Sequence, residues 1–164
     1  MNETVTIRKA RKDDAEEILK LVDQVFGEST NFPNTPEEFD ITVEQEEEYI
    51  EKMSLFLVAV IDDRMIGSLT LDKGPYKKSH HTALLGITIL EGYTSMKIGS
   101  KMLEDTIKWC KENGIKKINL EVFETNLRAI GLYRKFGFIE EGRRQKEYKV
   151  NEQYIDNILM AKFL

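Results

Sequence analysis

The chain has very few of the residues that cross-link or interrupt a fold. Its 164 residues include one cysteine, Cys110, and three prolines. A single cysteine excludes an internal disulfide, and with no companion at metal-ligand spacing it predicts no zinc site. Cysteine usage of this kind is typical of a reducing compartment, so we expect a cytoplasmic protein.

Long hydrophobic runs are also missing. No stretch approaches the roughly 18 apolar residues that a membrane span requires, and Met1 to Arg11 lacks the apolar run of a signal peptide. Repeats and low-complexity tracts are absent as well. With 41% hydrophobic and 32% charged residues, the sequence predicts a single domain over residues 1–164 and no membrane partner.

Positive charge is in short supply. The chain has 24 Lys and Arg against 29 Asp and Glu, a net charge of -5. A general nucleic-acid binder needs a basic stripe that replaces the counterions around phosphates. We therefore predict no nucleic-acid partner, and a cationic partner suits the overall charge better.

Apolar periodicity predicts a mixed α/β fold in the order β-α-α-β-β-β-α-β-α-β-β. Gly27, Asn113-Gly114 and Gly137 are the predicted helix ends, Asp13 and Asp14 the first N-cap, and Asp62-Asp63 a hairpin turn. The almost continuously apolar run 83–90 predicts a mid-sheet strand that is buried on both faces. The predicted strands are 4–8, 55–61, 65–71, 83–90, 118–123, 138–140 and 154–163, and the predicted helices are 15–26, 36–53, 98–112 and 126–136.

The first candidate site is the loop that joins Leu90 to the helix starting near Ile98. It reads Tyr-Thr-Ser-Met-Lys-Ile-Gly-Ser over residues 93–100. A helix start has unpaired backbone N–H groups and a partial positive charge, so a loop of small residues there can cradle a pyrophosphate. Taken alone, the pattern is more typical of an ordinary helix cap.

The second candidate site is residues 126–138, which match N-x-x-A-x-x-L-Y-x-x-x-G-F at every signature position. This stretch resembles motif B of the GNAT superfamily of N-acetyltransferases. The resemblance extends over nearly the whole chain, through Ile7–Ala15, Leu85–Tyr93 and Tyr154–Met160. It is strongest to the bacterial branch that includes the ribosomal-protein N-acetyltransferases.

The resemblance implies a GNAT fold, in which the central strands of a mixed sheet part in a V-shaped splay. It also implies transfer of an acetyl group from acetyl-CoA, the cosubstrate, to a primary amine by direct attack in a ternary complex, with no metal. The acceptor would be a small-molecule amine or a protein N-terminus or lysine, and a homodimer is common among such folds. The cofactor-binding residues that the resemblance implies are Ile87, Thr88, Ile89, Thr94, Ser95, Met96, Lys97, Ile98, Gly99, Ser100, Asn126, Ala129 and Tyr133.

Within this resemblance, two residues are the predicted catalytic groups. Tyr133 would protonate the departing CoA thiolate as a general acid, unless it is only a core aromatic with a buried hydroxyl partner. Glu121 matches the carboxylate that serves as general base in the ribosomal-protein branch, and the alternative is a surface glutamate on an amphipathic strand. Asn126 is explained equally by helix capping and by the family's hydrogen bond to the pantetheine arm.

The first loop departs from the family pattern Q/R-x-x-G-x-G/A. Thr94 replaces the leading Gln or Arg, Ser95 and Lys97 occupy the usual glycine positions, and only Gly99 remains. If Ser95 and Lys97 adopt ordinary φ angles, their N–H groups still point inward, but each Cβ narrows the approach of a pyrophosphate. We therefore expect acetyl-CoA binding that is retained but weakened, with the Lys97 charge as a partial compensation.

The same departure leaves an alternative function open. A degenerate relative would bind acyl-CoA or a protein with little or no catalysis. A nucleotide-binding domain of Rossmann type fits less well, because the loop lacks G-x-G-x-x-G.

An acidic segment, Glu44 to Glu48 with Glu51, and the loop Asn31 to Phe39 fall where the family places its substrate-shaping helix and loop. We interpret the acidic segment as a solvated face. Such a face can also attract a cationic amine.

Overall fold

The computed structural model describes residues 4–164, which form one seven-stranded mixed sheet with four α-helices. The predicted order of strands and helices is confirmed once three short 3-10 turns at Lys12–Asp14, Pro36–Glu38 and Glu91–Met96 are set aside. The strands are β1 Thr6–Lys9, β2 Leu55–Ile61, β3 Arg64–Lys73, β4 Thr82–Ile89, β5 Lys117–Phe123, β6 Ile139–Val150 and β7 Gln153–Phe163. The helices are α1 Ala15–Glu28, α2 Val43–Lys52, α3 Ile98–Glu112 and α4 Leu127–Lys135.

The sheet opens between its two central strands. Its order is β1-β2-β3-β4-β5-β7-β6, and β4 and β5 are the parallel pair. They pair only from Thr82–Lys117 to Leu84–Asn119. Beyond that point β4 stays with β3 as far as Ile89, while β5 stays with β7 as far as Phe123. The predicted V-shaped splay is therefore confirmed.

The central strand β4 differs from its prediction, because it is not buried on both faces. Leu84 is 53% exposed and Gly86 is also exposed, whereas Ala83 and Leu85 are buried. Side chains alternate along a strand, so one face of β4 belongs to the core and the other lines open space. The continuous apolar run correctly predicted that β4 lies mid-sheet, but it gave no indication that one face of the strand is exposed.

Two predicted helix boundaries were wrong. Helix α1 passes through Gly27 and ends at Glu28, where Gln24 donates a side-chain hydrogen bond to the Glu28 carboxylate at 3.0 Å. Helix α2 begins at Val43 instead of near Pro36. Thr42 starts it with a capping box, in which its hydroxyl accepts from the Gln45 N–H at 3.1 Å and its own N–H donates to the Gln45 side chain at 2.9 Å.

The predicted cap at Asp13-Asp14 has a different role. Asp14 precedes α1, but its carboxylate makes no cap hydrogen bond to the helix. Instead it accepts two hydrogen bonds from the Arg8 guanidinium, at 2.7 and 2.8 Å, and one from the Arg11 N–H at 2.7 Å. The hydrogen bonds from Arg8 lower the pKa of Asp14 and tie β1 to the start of α1.

The strand predicted at 138–140 is the beginning of the much longer β6. This strand lies at the sheet edge, and most of its side chains are exposed. Because neither face is covered, its sequence shows no apolar alternation. The chain returns into β7 through a turn in which Asn151 and Glu152 both have positive φ, 49° and 64°.

No helix among residues 4–164 is long and apolar enough to cross a membrane. The helices instead pack apolar residues around the sheet, and Ile18, Ile66, Leu69, Met102 and Ile118 are at most 1% exposed. Ser68 and Thr70 alternate with the buried Leu69 and Leu71 along β3, so β3 also has one apolar and one polar face.

The turn between β2 and β3 gives a stability prediction. The predicted turn residues Asp62 and Asp63 have φ angles of 46° and 64°, the two-residue hairpin geometry that favours Asn-Gly. Asp63→Gly should raise the free energy of unfolding by about 0.5–1 kcal/mol, because glycine has no steric cost at positive φ. Thermal or urea unfolding measures the change.

The control is Asp105→Gly, an equally exposed position in the middle of α3 with ordinary φ. It should lower stability by about 0.5–1 kcal/mol, since glycine disfavours a helix interior. An Asp63→Gly protein no more stable than the unmodified chain would contradict the assigned turn geometry.

Candidate active site

A cavity of about 1120 Å³ opens where β4 and β5 diverge. Its walls come from α1, the segment between α1 and α2, α2, and the start of α4. Its floor comes from the polar faces of β3, β4 and β5. The cavity therefore lies at the point where the sheet hydrogen bonds stop.

The part of the floor where β3 pairs with β4 carries small polar residues. Ser68 and Thr70 of β3 pair with Thr88 and Gly86 of β4, and all four line the cavity. A Cβ on Gly86 would lie 3.1 Å from the Thr70 hydroxyl, so glycine lets the two strands keep this register without crowding. The floor is thus smooth and carries hydroxyl groups.

Most of the predicted site residues meet at this cavity. Met96 and Ile98 are the exceptions: neither lines the cavity, and Ile98 is fully buried in the core. Any contact of these two with a ligand would have to come from their main chain. The predicted residues that line the cavity are Ile87, Thr88, Ile89, Thr94, Ser95, Lys97, Gly99, Ser100, Glu121, Asn126, Ala129 and Tyr133.

Lys97 has a backbone conformation that the sequence analysis did not expect. It caps α3 with φ 60° and ψ 23°, in the left-handed region, whereas an ordinary φ was assumed. The family pattern has glycine here, and left-handed geometry explains that preference. The loop thus keeps the shape of the pattern although the residue has changed, and the free N–H groups of the first α3 turn face the cavity end at Gly99 and Ser100.

A second cation joins Lys97 at this end of the cavity. Arg128, in the first turn of α4, donates a hydrogen bond to the Thr94 hydroxyl. Lys97 and Arg128 are the cations that line the cavity within residues 4–164. Together with the two helix starts they make this end attractive to an anion.

Gly99 allows α3 and α4 to approach closely. A Cβ at Gly99 would lie 2.9 Å from the Leu132 side chain and 3.5 Å from that of Ile89. Its φ is not positive, so the requirement is for space and not for an unusual backbone conformation. Close contact at Leu132 fixes the position of the next residue, Tyr133.

Tyr133 is buried, 7% exposed, and lines the cavity. Burial raises the pKa of its phenol to about 12, so the hydroxyl keeps its proton at neutral pH. The ring packs against Phe138 at 5.7 Å between centroids. At the start of the same helix, the Asn126 side chain accepts a hydrogen bond from the Ala129 N–H at 3.3 Å, which confirms its helix-capping role.

Glu121 lies across the cavity floor on β5. Its Oε1 accepts hydrogen bonds from Arg144 and, at 3.3 Å, from the Asn157 amide. Both interactions use the same oxygen, so Oε2 has no hydrogen-bond partner among residues 4–164. Glu121 is neither a plain surface residue nor a fully free carboxylate.

The sequence analysis missed Glu46, which it had placed on a solvated acidic face. Glu44 and Glu48 are exposed as expected, but Glu46 is only 7% exposed and lines the cavity. Burial raises the pKa of its carboxyl group. The sequence carried one signal that Glu46 faces inward: the apolar Ile50 lies four residues later on the same helix face, and the structure shows that Ile50 is buried.

Within residues 4–164, no group of three or more His, Cys, Asp or Glu side chains is placed to hold a metal ion. The groups that the structure brings together are instead a neutral phenol, four carboxylates, two cations and two helix starts. Such a set can bind an anionic ligand at one end, bind a cationic one at the other, and move protons between them.

The comparisons with known proteins agree with this geometry. The model of the acetyltransferase (GNAT) family matches residues 16–138. The chain is similar to an L-amino acid N-acetyltransferase of Escherichia coli, with 33% identity over 108 residues that cover 65% of this chain and 66%, just under two thirds, of that protein. It is also similar to an N-alpha-acetyltransferase of Sulfurisphaera tokodaii, with 32% identity over 171 residues that cover 94% of this chain and 90% of that protein.

A solved structure gives the same result for the fold. The acetyltransferase of the GNAT family from Streptococcus pneumoniae superposes with a TM-score of 0.93 at 27% identity. The match covers 98% of this chain and 100% of that one.

The left-handed Lys97 can be tested by two substitutions that differ only in backbone freedom. Lys97→Gly and Lys97→Ala both remove the cation, but only glycine removes the steric cost of positive φ. The free energy of unfolding of the glycine variant should be about 1 kcal/mol higher than that of the alanine variant. Thermal unfolding of the ligand-free proteins measures the difference.

The same pair separates the charge from the loop shape in acetyl-CoA binding. Both variants should bind acetyl-CoA more weakly than the unmodified chain by calorimetry, and alanine should be the weaker of the two. Lys101→Ala, one turn further along α3 and outside the cavity, serves as the charge control with unchanged affinity. Equal stability of the two Lys97 variants would rule out strain at this residue.

Proposed function

The chain belongs to the acetyltransferase (GNAT) family, and on that basis we propose how its cavity acetylates a primary amine. As a member of this family it is an N-acetyltransferase that takes the acetyl group from acetyl-CoA. The observation that carries the proposal is the set of groups around one opening in the sheet. Anion-binding groups lie at one end, a protonated phenol lies beside it, and carboxylates line the remaining wall.

Acetyl-CoA would be held at the α3 and α4 helix starts. The free N–H groups of the first α3 turn and the cations of Lys97 and Arg128 suit its diphosphate, which carries negative charge. Gly99 keeps α3 and α4 close together, so the same groove leads towards Tyr133. The residues present therefore fit the cosubstrate, which supplies the activated acetyl group.

The thioester carbonyl would lie along β4. After Leu84 this strand has no partner on the β5 side, so the main chain of Ile87, Thr88 and Ile89 has groups that no neighbouring strand satisfies. An N–H here can donate to the carbonyl oxygen as negative charge develops during attack by the amine. Side chains contribute little to this step.

Tyr133 would supply a proton to the sulfur. The amine nitrogen forms a bond to the acetyl carbon, the carbon–sulfur bond breaks, and the sulfur leaves with the electron pair. A phenol whose pKa is raised to about 12 is protonated throughout the neutral range, so it is always ready to donate to the leaving thiolate.

Glu121 would accept the proton that the acceptor ammonium must lose before it attacks. Arg144 and Asn157 hold one carboxylate oxygen, which fixes the orientation of the group. The open Oε2 can then accept a proton directly or through a water molecule. The fixed orientation supports this role.

We also propose that the protein acts in the cytoplasm. Its cysteine, Cys110, is a free and buried thiol, and burial raises its pKa to about 11. A thiol of this kind is a packing residue and suits a reducing compartment.

The role of Tyr133 predicts a specific kinetic defect. Tyr133→Phe should lower kcat by about 100-fold, because a general acid typically contributes that much, while the Kd for acetyl-CoA changes little. Release of the CoA thiol over a panel of primary amines measures kcat, and calorimetry measures binding. Unchanged kcat would remove the phenol from the mechanism, and binding of acetyl-CoA without turnover of any amine would favour a degenerate, non-catalytic relative.

Glu121 is tested by Glu121→Gln, which keeps the shape and the hydrogen-bond acceptor but cannot take a proton. We expect kcat to fall by about 100-fold at neutral pH and to recover partly as the pH rises, because the amine then loses its proton to solvent. Glu124→Gln, directly after the end of the same strand and outside the cavity, is the matched control. A pH–rate profile identical to that of the unmodified enzyme would show that Glu121 is not the base.

A further inference from the structure

Glu46 is a buried residue, only 7% exposed, yet its carboxylate has no protein partner among the described residues. It forms no hydrogen bond or ion pair with any residue from 4 to 164. No fully buried side-chain oxygen in that range lacks a partner, so the Glu46 carboxylate must reach the open space of the cavity that it lines. A buried carboxylate normally has a partner, and here the free position faces a ligand cavity.

Glu46 is connected to the part of the floor where the acetyl group would lie. Tyr49, one turn later on α2, lines the cavity beside Thr70 of β3, and Glu46 is close enough to raise the pKa of Tyr49 further beyond the effect of burial. Thr70 in turn pairs with Gly86, which directly precedes the proposed oxyanion donors of β4. Glu46 therefore stands on the wall opposite Glu121.

The charges around the cavity are unevenly distributed. Both lining cations, Lys97 and Arg128, lie at the helix starts that suit the diphosphate. Four carboxylates line the cavity: Glu28 at the end of α1, Glu91 after β4, Glu46 on α2 and Glu121 on β5, where Arg144 is already paired with Glu121. Between α2 and β5, a free carboxylate on the acceptor would thus meet Glu46 and Glu121 and no unpaired lining cation among the described residues.

Aromatic rings cover the same region. Phe26 contacts Phe32 and Phe39 at 5.4 and 5.3 Å between ring centroids, and all three line the cavity. On the β5 side, Phe123 and Tyr148 stack at 4.7 Å and line it as well. Aromatic walls bury an apolar group well and also favour an ammonium group over their faces.

We propose that Glu46 binds the ammonium group of the acceptor and selects primary amines that carry an apolar group and no free carboxylate on the amine-bearing carbon. This inference rests on the proposed function, since it names the acceptor class of the same cavity. Glu46 binds the charge, and Glu121 accepts the proton when the amine turns to the thioester. Amidated amino acids, arylalkylamines and peptide N-termini share this chemistry, whereas free amino acids do not.

The first experiment measures acceptor binding without catalysis. Phenylethylamine and phenylalaninamide are titrated by calorimetry into the enzyme saturated with coenzyme A, which has no acetyl group to transfer. We expect Glu46→Gln to weaken both amines at least tenfold and to leave coenzyme A binding unchanged. Glu44→Gln, an exposed position on the same helix, should bind both amines like the unmodified enzyme. Equal amine affinity in the two variants would overturn the proposal.

The second experiment measures selectivity. The unmodified enzyme should acetylate phenylalaninamide with a kcat/KM at least tenfold above that for phenylalanine, and phenylethylamine should behave like the amide. A peptide with N-terminal phenylalanine distinguishes a protein acceptor from a small one, because only an open cavity end admits the longer chain. A preference for free phenylalanine would overturn the proposed acceptor class.

The two kinds of failure can be told apart. Glu46→Gln should raise KM with little change in kcat, whereas Glu121→Gln should lower kcat. If the enzyme turns over the amine panel but Glu46→Gln has an unchanged KM, the inference fails while the proposed function stands. If no amine is turned over, the proposed function fails, and the calorimetric comparison still decides the role of Glu46. Unfolding of the variant would not explain weaker amine binding, because Glu46→Gln removes a buried charge and should leave the Tm equal or higher.

Discussion

Hydrogen bonding between β4 and β5 stops at Leu84 and Asn119, and the functional part of the molecule depends on this interruption. A fully paired parallel sheet would satisfy every backbone group in its centre and leave no opening. Here each strand keeps its outer neighbour, so β3 supports β4 and β7 supports β5 while the inner edges separate. The unsatisfied groups are therefore held rigidly, and a ligand can use them without first reorganising the protein.

The separation also sorts the polar groups of the site. Helix starts and cations lie on the side where α3 and α4 meet, whereas Glu46 lies on α2 and Glu121 on β5. Tyr133 and Glu46 are both buried, and burial raises the pKa of both. For Glu46 this means that the folded state is penalised when the carboxyl group is ionised, so its burial costs stability near neutral pH. Buried groups with such a cost are typical of sites where function and not folding decides the residue.

The sequence predicted the order of helices and strands and the turn at Asp62-Asp63, and nearly all of the site residues that it predicted line the cavity. These features depend on local patterns, namely apolar spacing, turn residues and one dense motif. Three features depend on tertiary structure, and the sequence analysis did not predict them. The exposed face of β4 depends on which parts of the sheet the helices cover, β6 is defined by its pairing with β7, and Glu46 is buried because the neighbouring layer covers one face of α2. The left-handed Lys97 is intermediate, since the family pattern marked the position but the residue itself favours an ordinary φ.

The long strand β6 has a consequence for how the protein behaves in concentrated solution. It ends the sheet, its outer backbone groups have no neighbouring strand, and a second molecule could in principle add a strand there. Dense charge opposes such growth: Arg143, Arg144, Lys146 and Lys149 share the strand with Glu140, Glu141 and Glu147, and the left-handed Lys146 breaks the regular register with β7. The hydrophilic sequence of β6 thereby disfavours fibre-like self-association. The same lack of apolar alternation is the reason why the sequence analysis did not predict the full length of this strand.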